Sequence, residues 1–206
     1  MKKLLQVSSI LAVCVSFSQA ATSITIANLG ERSLLVTDRT GQVYSGGSWA
    51  VGVFSDGVDF AGTPQSIYSA WVQAGNTAAF NPTFPGVFGA AGAETVSVDL
   101  PTTVTGSFVG NDMFIMIGDA ATLETSTEFI VADTGIQFQP EVEGVGGTSS
   151  ALFADATILR GDSTIVSGAA GPTDPQNGEP GITFIPEPSV ALLGAFGILG
   201  LLRRRR

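Results

Sequence analysis

The chain has 206 residues, the size of a single domain with an ordinary core once any end segments are set aside. It has no histidine and one cysteine, so it lacks the residues for histidine bases, serine–histidine–aspartate triads and the usual zinc sites. Its 18 acidic residues outnumber nine basic ones, for a formal charge of −9. Such a surface repels phosphate backbones, which argues against nucleic-acid binding.

Residues 1–20 have the pattern of a secretory signal peptide. Two lysines precede an apolar stretch, and Ser18 and Ala20 put small residues at the two positions that a signal peptidase inspects. The stretch is shorter than the roughly 20 residues of a membrane span, although an uncleaved anchor remains the alternative. We expect export and cleavage after Ala20. Because the one cysteine, Cys14, lies in this segment, the mature chain is expected to have no disulfide.

Residues 21–167 have the pattern of a β-rich body. Apolar and polar residues alternate in short segments separated by glycine-containing turns, which is typical of half-buried strands. The candidate strands cover residues 24–26, 33–37, 42–45, 49–53, 96–100, 104–109, 113–117, 128–133, 151–159 and 163–167. Of these, 113–117 is a continuous apolar run, which predicts a central strand buried on both faces. The number of short strands predicts an all-β fold, a β-sandwich or jelly roll in one domain.

One short helix is predicted to interrupt the strands, over residues 63–75. Thr63 is a suitable N-cap, a proline follows at the first helical position, and Gly75 is a suitable stop. Glycines also predict tight turns at 38–41 and at 134–135.

Residues 168–184 differ from the body in composition. Glycine, proline and polar residues predominate, which predicts a flexible linker between the body and the C-terminal segment. Between the two end segments only three arginines stand against 17 acidic residues, for a formal charge of −14. We expect a soluble body whose acids mostly lie in solvated loops.

Residues 185–206 have three parts in a fixed order. The motif Pro186, Glu187 and Pro188 comes first, an uncharged apolar run over 189–202 follows, and Arg203, Arg204, Arg205 and Arg206 come last. At about 1.5 Å per residue, a helix over the run is shorter than a ~30 Å hydrocarbon core, although arginine side chains can extend toward the interface. The order predicts a short transmembrane helix with the arginines on the cytoplasmic face.

This arrangement resembles the PEP-CTERM sorting signal, and the resemblance covers the C-terminal segment alone. It implies that an exosortase recognises the tail and releases the body near the motif, after transient anchoring in the inner membrane of a Gram-negative bacterium. It also implies an exported surface or extracellular-matrix protein, associated with extracellular polysaccharide and biofilm. A plain C-terminal membrane anchor is the alternative.

Carboxylates are the remaining side chains suited to catalysis. Three pairs lie close in sequence: Asp56 and Asp59, Asp112 and Asp119, and Asp155 and Asp162. No pair is distinguished from the others, because all lie beside turn residues where aspartate has a local hydrogen-bonding role. Asp56 and Asp59 are also candidate calcium ligands, since calcium prefers loop oxygens, although no complete EF-hand pattern is present. No cofactor is expected.

Three functions remain open for the body. The first is a non-enzymatic surface or matrix protein, which the missing catalytic residue types and the tail favour. The second is a carbohydrate-binding module, which would present Trp49, Trp71 and Tyr68 or Tyr44 as exposed, coplanar rings on one sheet face. The third is a glycosidase, which would hold two carboxylates about 5 to 9.5 Å apart across a cleft.

Overall fold

A computed structural model describes residues 22–27, 34–44, 46–80, 86–88, 93–98, 108–139, 148–166 and 178–185. The strands are β1 (Thr22–Ala27), β2 (Leu35–Thr37), β3 (Ser48–Phe54), β4 (Trp71–Ala79), β5 (Ala93–Val98), β6 (Asp112–Gly118), β7 (Phe129–Gln137), β8 (Thr148–Leu152), β9 (Thr157–Arg160), β10 (Asp162–Ile165) and β11 (Pro180–Thr183). The helices are α1 (Pro64–Ser69) and one 3-10 turn (Phe153–Asp155). The predicted all-β class is confirmed. Within the described ranges, neither helix has the length and apolar character needed to cross a membrane.

The described strands form three open sheets. The largest has the order β4-β3-β6-β7-β9, with every neighbouring pair antiparallel. In the second, β1 pairs antiparallel with β5 and parallel with β8. In the third, β11 pairs antiparallel with β10 and parallel with β2. Buried residues of all three sheets share one apolar cluster, here called the main cluster, which includes Ile24, Val36, Trp49, Ile115 and Ile182.

Strand β6 is the central strand of the largest sheet. Met113, Ile115, Met116 and Ile117 are buried, which confirms the central strand predicted at 113–117. Successive side chains of a strand point to opposite faces. Ile115 and Ile117 therefore join the main cluster, while Met116 belongs to a second cluster on the other face.

Helix α1 is shorter than the predicted helix at 63–75. Thr63 caps it as expected, because its Oγ1 accepts a 3.3 Å hydrogen bond from a backbone N–H of the first turn. Strand β4 begins at Trp71, which pairs in register with Phe54 of β3. Backbone pairing along this strand overrides the helical spacing of its apolar residues. Gly75, the predicted stop, lies inside β4 with a φ of 81°.

Glycine conformations account for one correct and one wrong turn prediction. Gly41 has a φ of 82° and its N–H donates a 3.1 Å hydrogen bond to the Asp38 carbonyl, which confirms the turn at 38–41. Gly135 also has a positive φ, 68°, but β7 continues past it. The turn predicted there is wrong, because the extra residues form a β-bulge opposite the start of β6.

The predicted linker at 168–184 is corrected at its C-terminal end. Residues 180–183 form β11, the middle strand of the third sheet, and Ile182 and Phe184 are buried. This strand was not predicted from the sequence, because only two large apolar residues alternate within a segment that is rich in glycine and proline. Residues 168–177 lie outside the described ranges.

Candidate functional site

A pocket of about 310 Å³ opens where β3 ends and β6 begins. This volume is at the lower end of the range for small-molecule sites, roughly 300 to 1,000 Å³. Three phenylalanines, two aspartates and one asparagine provide its distinctive side chains: Phe54, Phe60, Phe114, Asp56, Asp112 and Asn111. The two strand ends lie side by side because β3 and β6 pair antiparallel, with Gly52 opposite Phe114.

Strand alternation places Phe54 on the pocket side of β3. Trp49 faces the main cluster, whereas Ala50 and Phe54 face the second cluster. Gly52 is on the same face as Phe54, and a Cβ at this position would lie 2.3 Å from the backbone oxygen of Val72 and 2.7 Å from the Trp71 ring. Since no side chain occupies that space, Trp71 packs against β3 with its ring centroid 5.0 Å from that of Phe54. Trp71 thus packs against Phe54 and helps to hold its ring in position.

Three phenylalanine rings form the apolar wall of the pocket. The Phe54 ring centroid lies 5.0 Å from that of Phe60 and 5.3 Å from that of Phe114, and both contacts are edge-to-face. Such contacts add about 0.5 to 1.5 kcal/mol beyond the area that they bury. All three side chains are half-buried, so part of each ring remains accessible to a ligand.

The pocket lining also contains polar and acidic residues. Asp56 and Asp112 are both exposed, and Oδ1 of Asp112 accepts a 3.2 Å hydrogen bond from the Gln137 amide. Among the described residues that line the pocket, there is no arginine or lysine. The two described arginines are engaged elsewhere, Arg39 with a glutamate and Arg160 with backbone carbonyls. The described part of the pocket lining is therefore acidic.

Arg160 anchors the loop that carries Phe60. Its side chain is buried, and Nη1 donates 2.9 Å hydrogen bonds to the carbonyl oxygens of both Phe60 and Gly62. Within the loop, the Asp59 carboxylate accepts a 2.9 Å bond from the Ala61 N–H. A charged donor strengthens such hydrogen bonds. Strand β9 thus holds one wall of the pocket in place.

Only one member of each of the first two aspartate pairs proposed from the sequence lines the pocket, and neither member of the third pair does. Asp56 lines the pocket, whereas Asp59 is not part of its lining and caps its own loop. In the described parts of the chain, no three acidic, cysteine or histidine residues are grouped so that they could hold a metal ion. Asp112 and Asp119 lie at opposite ends of β6, about 23 Å apart at 3.3 Å per residue. Strand β9 lies between Asp155 and Asp162 in the chain.

The aromatic residues named for a flat sugar-binding platform do not share one face. Trp49 is buried and stacks on Phe88, with ring centroids 4.7 Å apart. Trp71 belongs to the opposite face, where Tyr68 stacks on Phe129. The hydroxyl of Tyr44 donates to the Asp119 carbonyl. These side chains support the core instead of forming one exposed plane.

A second polar group surrounds Glu128, which forms an ion pair with Arg39. Burial raises the pKa of the Glu128 carboxyl, and Arg39 offsets only part of that effect. The Asp119 carboxylate accepts hydrogen bonds of 2.7 and 3.0 Å from the backbone N–H groups of Thr127 and Glu128. Burial, together with the charges of Asp119 and Glu128, raises the pKa of Tyr44. These contacts hold the loop after β6 and do not form an open site.

A larger pocket, of about 420 Å³, lies beside β8 and the bulge of β7. The described residues that line it are mostly aliphatic or hydroxyl-bearing, and Asp155 is the one charged residue among them. With no aromatic ring or second charge among these described residues, the pocket shows less for specific recognition.

The residues of the two predicted processing signals lie outside the described ranges. They are Ser18 and Ala20 of the signal peptide, Pro186, Glu187 and Pro188 of the sorting motif, and Arg203, Arg204, Arg205 and Arg206. The sequence interpretation did not select Phe54, Phe60, Phe114 or Asn111. One signal was available for Phe114, which is the largest side chain in a strand predicted to be buried on both faces.

No protein-family model matches the chain, and neither the curated proteins nor the solved structures contain a significant match to it.

Proposed function

We propose that this chain is an exported, non-enzymatic surface or extracellular-matrix protein. A signal peptide directs its export, and an exosortase sorts and processes it at the Pro-Glu-Pro tail. The observation that carries the proposal is the order of the tail: Pro186, Glu187 and Pro188, then the uncharged run, then the arginines. Signal peptidase and exosortase are its processing partners, and the inner membrane holds it only transiently.

The boundary of the folded body supports processing near the motif. Strand β11 ends at Thr183, and Phe184 is still buried. Cleavage at or after Pro186 leaves every described strand intact. The released body is a β-sandwich-like domain whose three sheets share the main cluster.

The acidic side chains of the pocket suit binding better than catalysis. A glycosidase needs one carboxyl whose pKa is raised by burial, so that it can act as an acid. Asp56 and Asp112 are instead exposed. Without histidine, and with its one cysteine in the signal segment, the body lacks the other common catalytic groups.

Carbohydrate binding within an extracellular polysaccharide matrix is the second candidate function. The pocket favours it because aromatic rings and oxygen-bearing side chains line the same pocket. Sugar rings have apolar faces that pack on aromatic rings and hydroxyl edges that need hydrogen-bond partners. The pocket replaces the flat platform that the tryptophans would have formed.

Intact mass measurement of the protein from the membrane and extracellular fractions of its host tests the sorting proposal. We expect an extracellular species that begins near Ala21 and ends near Pro186, with or without added glycan mass. A membrane-bound species that runs through Arg206 contradicts exosortase processing and indicates a permanent anchor. Replacement of Pro186, Glu187 and Pro188 by alanine should abolish release, whereas alanine at Pro180, in β11, tests folding separately.

A further inference from the structure

We propose that the pocket at the ends of β3 and β6 binds the protonated amine of an amino sugar. This inference rests on the second candidate function, carbohydrate binding, and names the chemical class of the ligand. It is carried by the combination of an aromatic wall and two carboxylates in one small pocket.

The charge of the pocket selects a cationic group. Asp56 and Asp112 reach the pocket from different strand ends, and no basic residue is among the described residues that line it. Among the described residues, no hydrogen bond or ion pair engages the Asp56 carboxylate, so it is available to an incoming donor. A bound ammonium group would supply the charge that the pocket lacks, through charge-assisted hydrogen bonds.

The aromatic wall favours a cation attached to an organic frame over a bare metal ion. An aromatic face attracts an ammonium group within about 6 Å of the ring centroid, and it also packs against apolar C–H surface. Phe54, Phe60 and Phe114 provide such surface, whereas calcium requires six to eight oxygens. Among the described residues, no three acidic side chains are grouped here so that they could hold a metal ion.

The volume and the remaining polar groups suit a single sugar residue. At about 310 Å³ the pocket is near the minimum for a small-molecule site, roughly 300 Å³. Ser55 and Asn111 also line it and can exchange hydrogen bonds with sugar hydroxyls. An amino sugar matches the charge, the aromatic wall and the volume of the pocket. Its amine would lie toward the aspartates and its ring against the phenylalanines.

The test is a ligand-observed NMR titration of the full chain with glucosamine, N-acetylglucosamine and tetramethylammonium. At about pH 6 the amine of glucosamine is protonated, whereas its N-acetyl analogue is neutral. We expect glucosamine to bind with a Kd on the order of 1 mM and about tenfold more tightly than N-acetylglucosamine. Higher salt should weaken its binding, since both carboxylates are exposed.

Matched variants locate the site. Asp56→Asn and Asp112→Asn should each weaken glucosamine binding about two- to fivefold, the size of one exposed ion pair. Asp162→Asn makes the same change of charge on an exposed residue of β10, away from the pocket, and should leave the Kd unchanged. Thermal unfolding of each variant verifies that the fold is retained.

Each other outcome overturns a distinct part of the proposal. Equal or tighter binding of N-acetylglucosamine removes the requirement for a cation while leaving carbohydrate binding in place. Binding of tetramethylammonium without glucosamine removes the sugar, and binding of neither removes the ligand class altogether. An equal effect of Asp162→Asn would mean that the overall charge, not this pocket, attracts the ligand. None of these results bears on the sorting proposal, which the mass measurement tests separately.

Discussion

Nη1 of Arg160 donates a 2.9 Å hydrogen bond to the carbonyl oxygen of Phe60, a residue 100 positions earlier in the chain. The bond joins the outermost strand of the largest sheet, β9, to the loop that forms one wall of the pocket. It places a buried cation where it donates hydrogen bonds to backbone carbonyls. The position of the pocket wall therefore depends on a strand that contributes no residue to the pocket itself.

Arg160→Met should lower the free energy of unfolding by about 1 to 3 kcal/mol, because the carbonyls of Phe60 and Gly62 lose their charged donor. Chemical denaturation measures this change. Amide hydrogen exchange should also become faster in residues 60–62. Arg39→Met is the control, since its guanidinium is exposed and such ion pairs contribute at most about 1 kcal/mol. Equal effects of the two variants would contradict the anchoring role of Arg160.

Gly52→Ala should destabilise the largest sheet by about 1 to 3 kcal/mol. The added Cβ would lie 2.3 Å from the backbone oxygen of Val72 and 2.7 Å from the Trp71 ring, so both the β4 backbone and the ring must move away from β3. Gly46→Ala is a matched control, because its nearest neighbour would be the Tyr44 hydroxyl at 3.8 Å. Thermal unfolding of both variants distinguishes a steric effect from a general effect of replacing glycine.

Ile182→Ala should cost about 2 to 5 kcal/mol, as expected for a large-to-small change in a core. Ile182 is 1% exposed and belongs to the main cluster. Ile165, on the neighbouring strand β10, is 61% exposed, and alanine there should change stability by no more than about 0.5 kcal/mol. If Ile182→Ala is as mild as Ile165→Ala, residues 180–184 are a linker after all.

Glu128→Gln should stabilise the protein at neutral pH relative to the wild type. Burial raises the pKa of Glu128 above 4.5, despite the ion pair with Arg39, so the folded state favours the protonated carboxyl. Its contribution to stability is complete below pH 4.5 and is lost as pH rises through the folded-state pKa. The uncharged glutamine should not show this loss.

Urea denaturation of the wild type and Glu128→Gln from about pH 4 to pH 7 measures the difference. Arg39→Gln removes a charge that lowers the Glu128 pKa. In this variant, the loss of stability with rising pH should therefore occur at higher pH than in the wild type. Parallel pH profiles for all three proteins would show that Glu128 is not the group responsible.

Strands and turns of the body were predictable where a short stretch of sequence carries a strong signal of its own. The run at 113–117 and the turn at 38–41 depend on local signals, an unbroken apolar segment and a glycine that can adopt positive φ. Boundaries were less predictable because pairing partners decide them. Trp71 has the spacing of a helical residue, but it lies in β4 and pairs with Phe54. Strand β11 forms in a segment of poor strand propensity, because β2 and β10 provide partners on both sides.

The sequence by itself determined the export and sorting interpretation, the acidic charge, the all-β class and the absence of histidine chemistry. These properties depend on residue types and on their local order, so they need no contacts between distant parts of the chain. Only the tertiary structure decided which residues form the pocket. Asp56 and Asp112 line one pocket because β3 and β6 pair in antiparallel register. Arg160 reaches the loop because β9 lies at the edge of the same sheet. No local pattern encodes such proximity, because it arises from strand pairing between residues far apart in sequence.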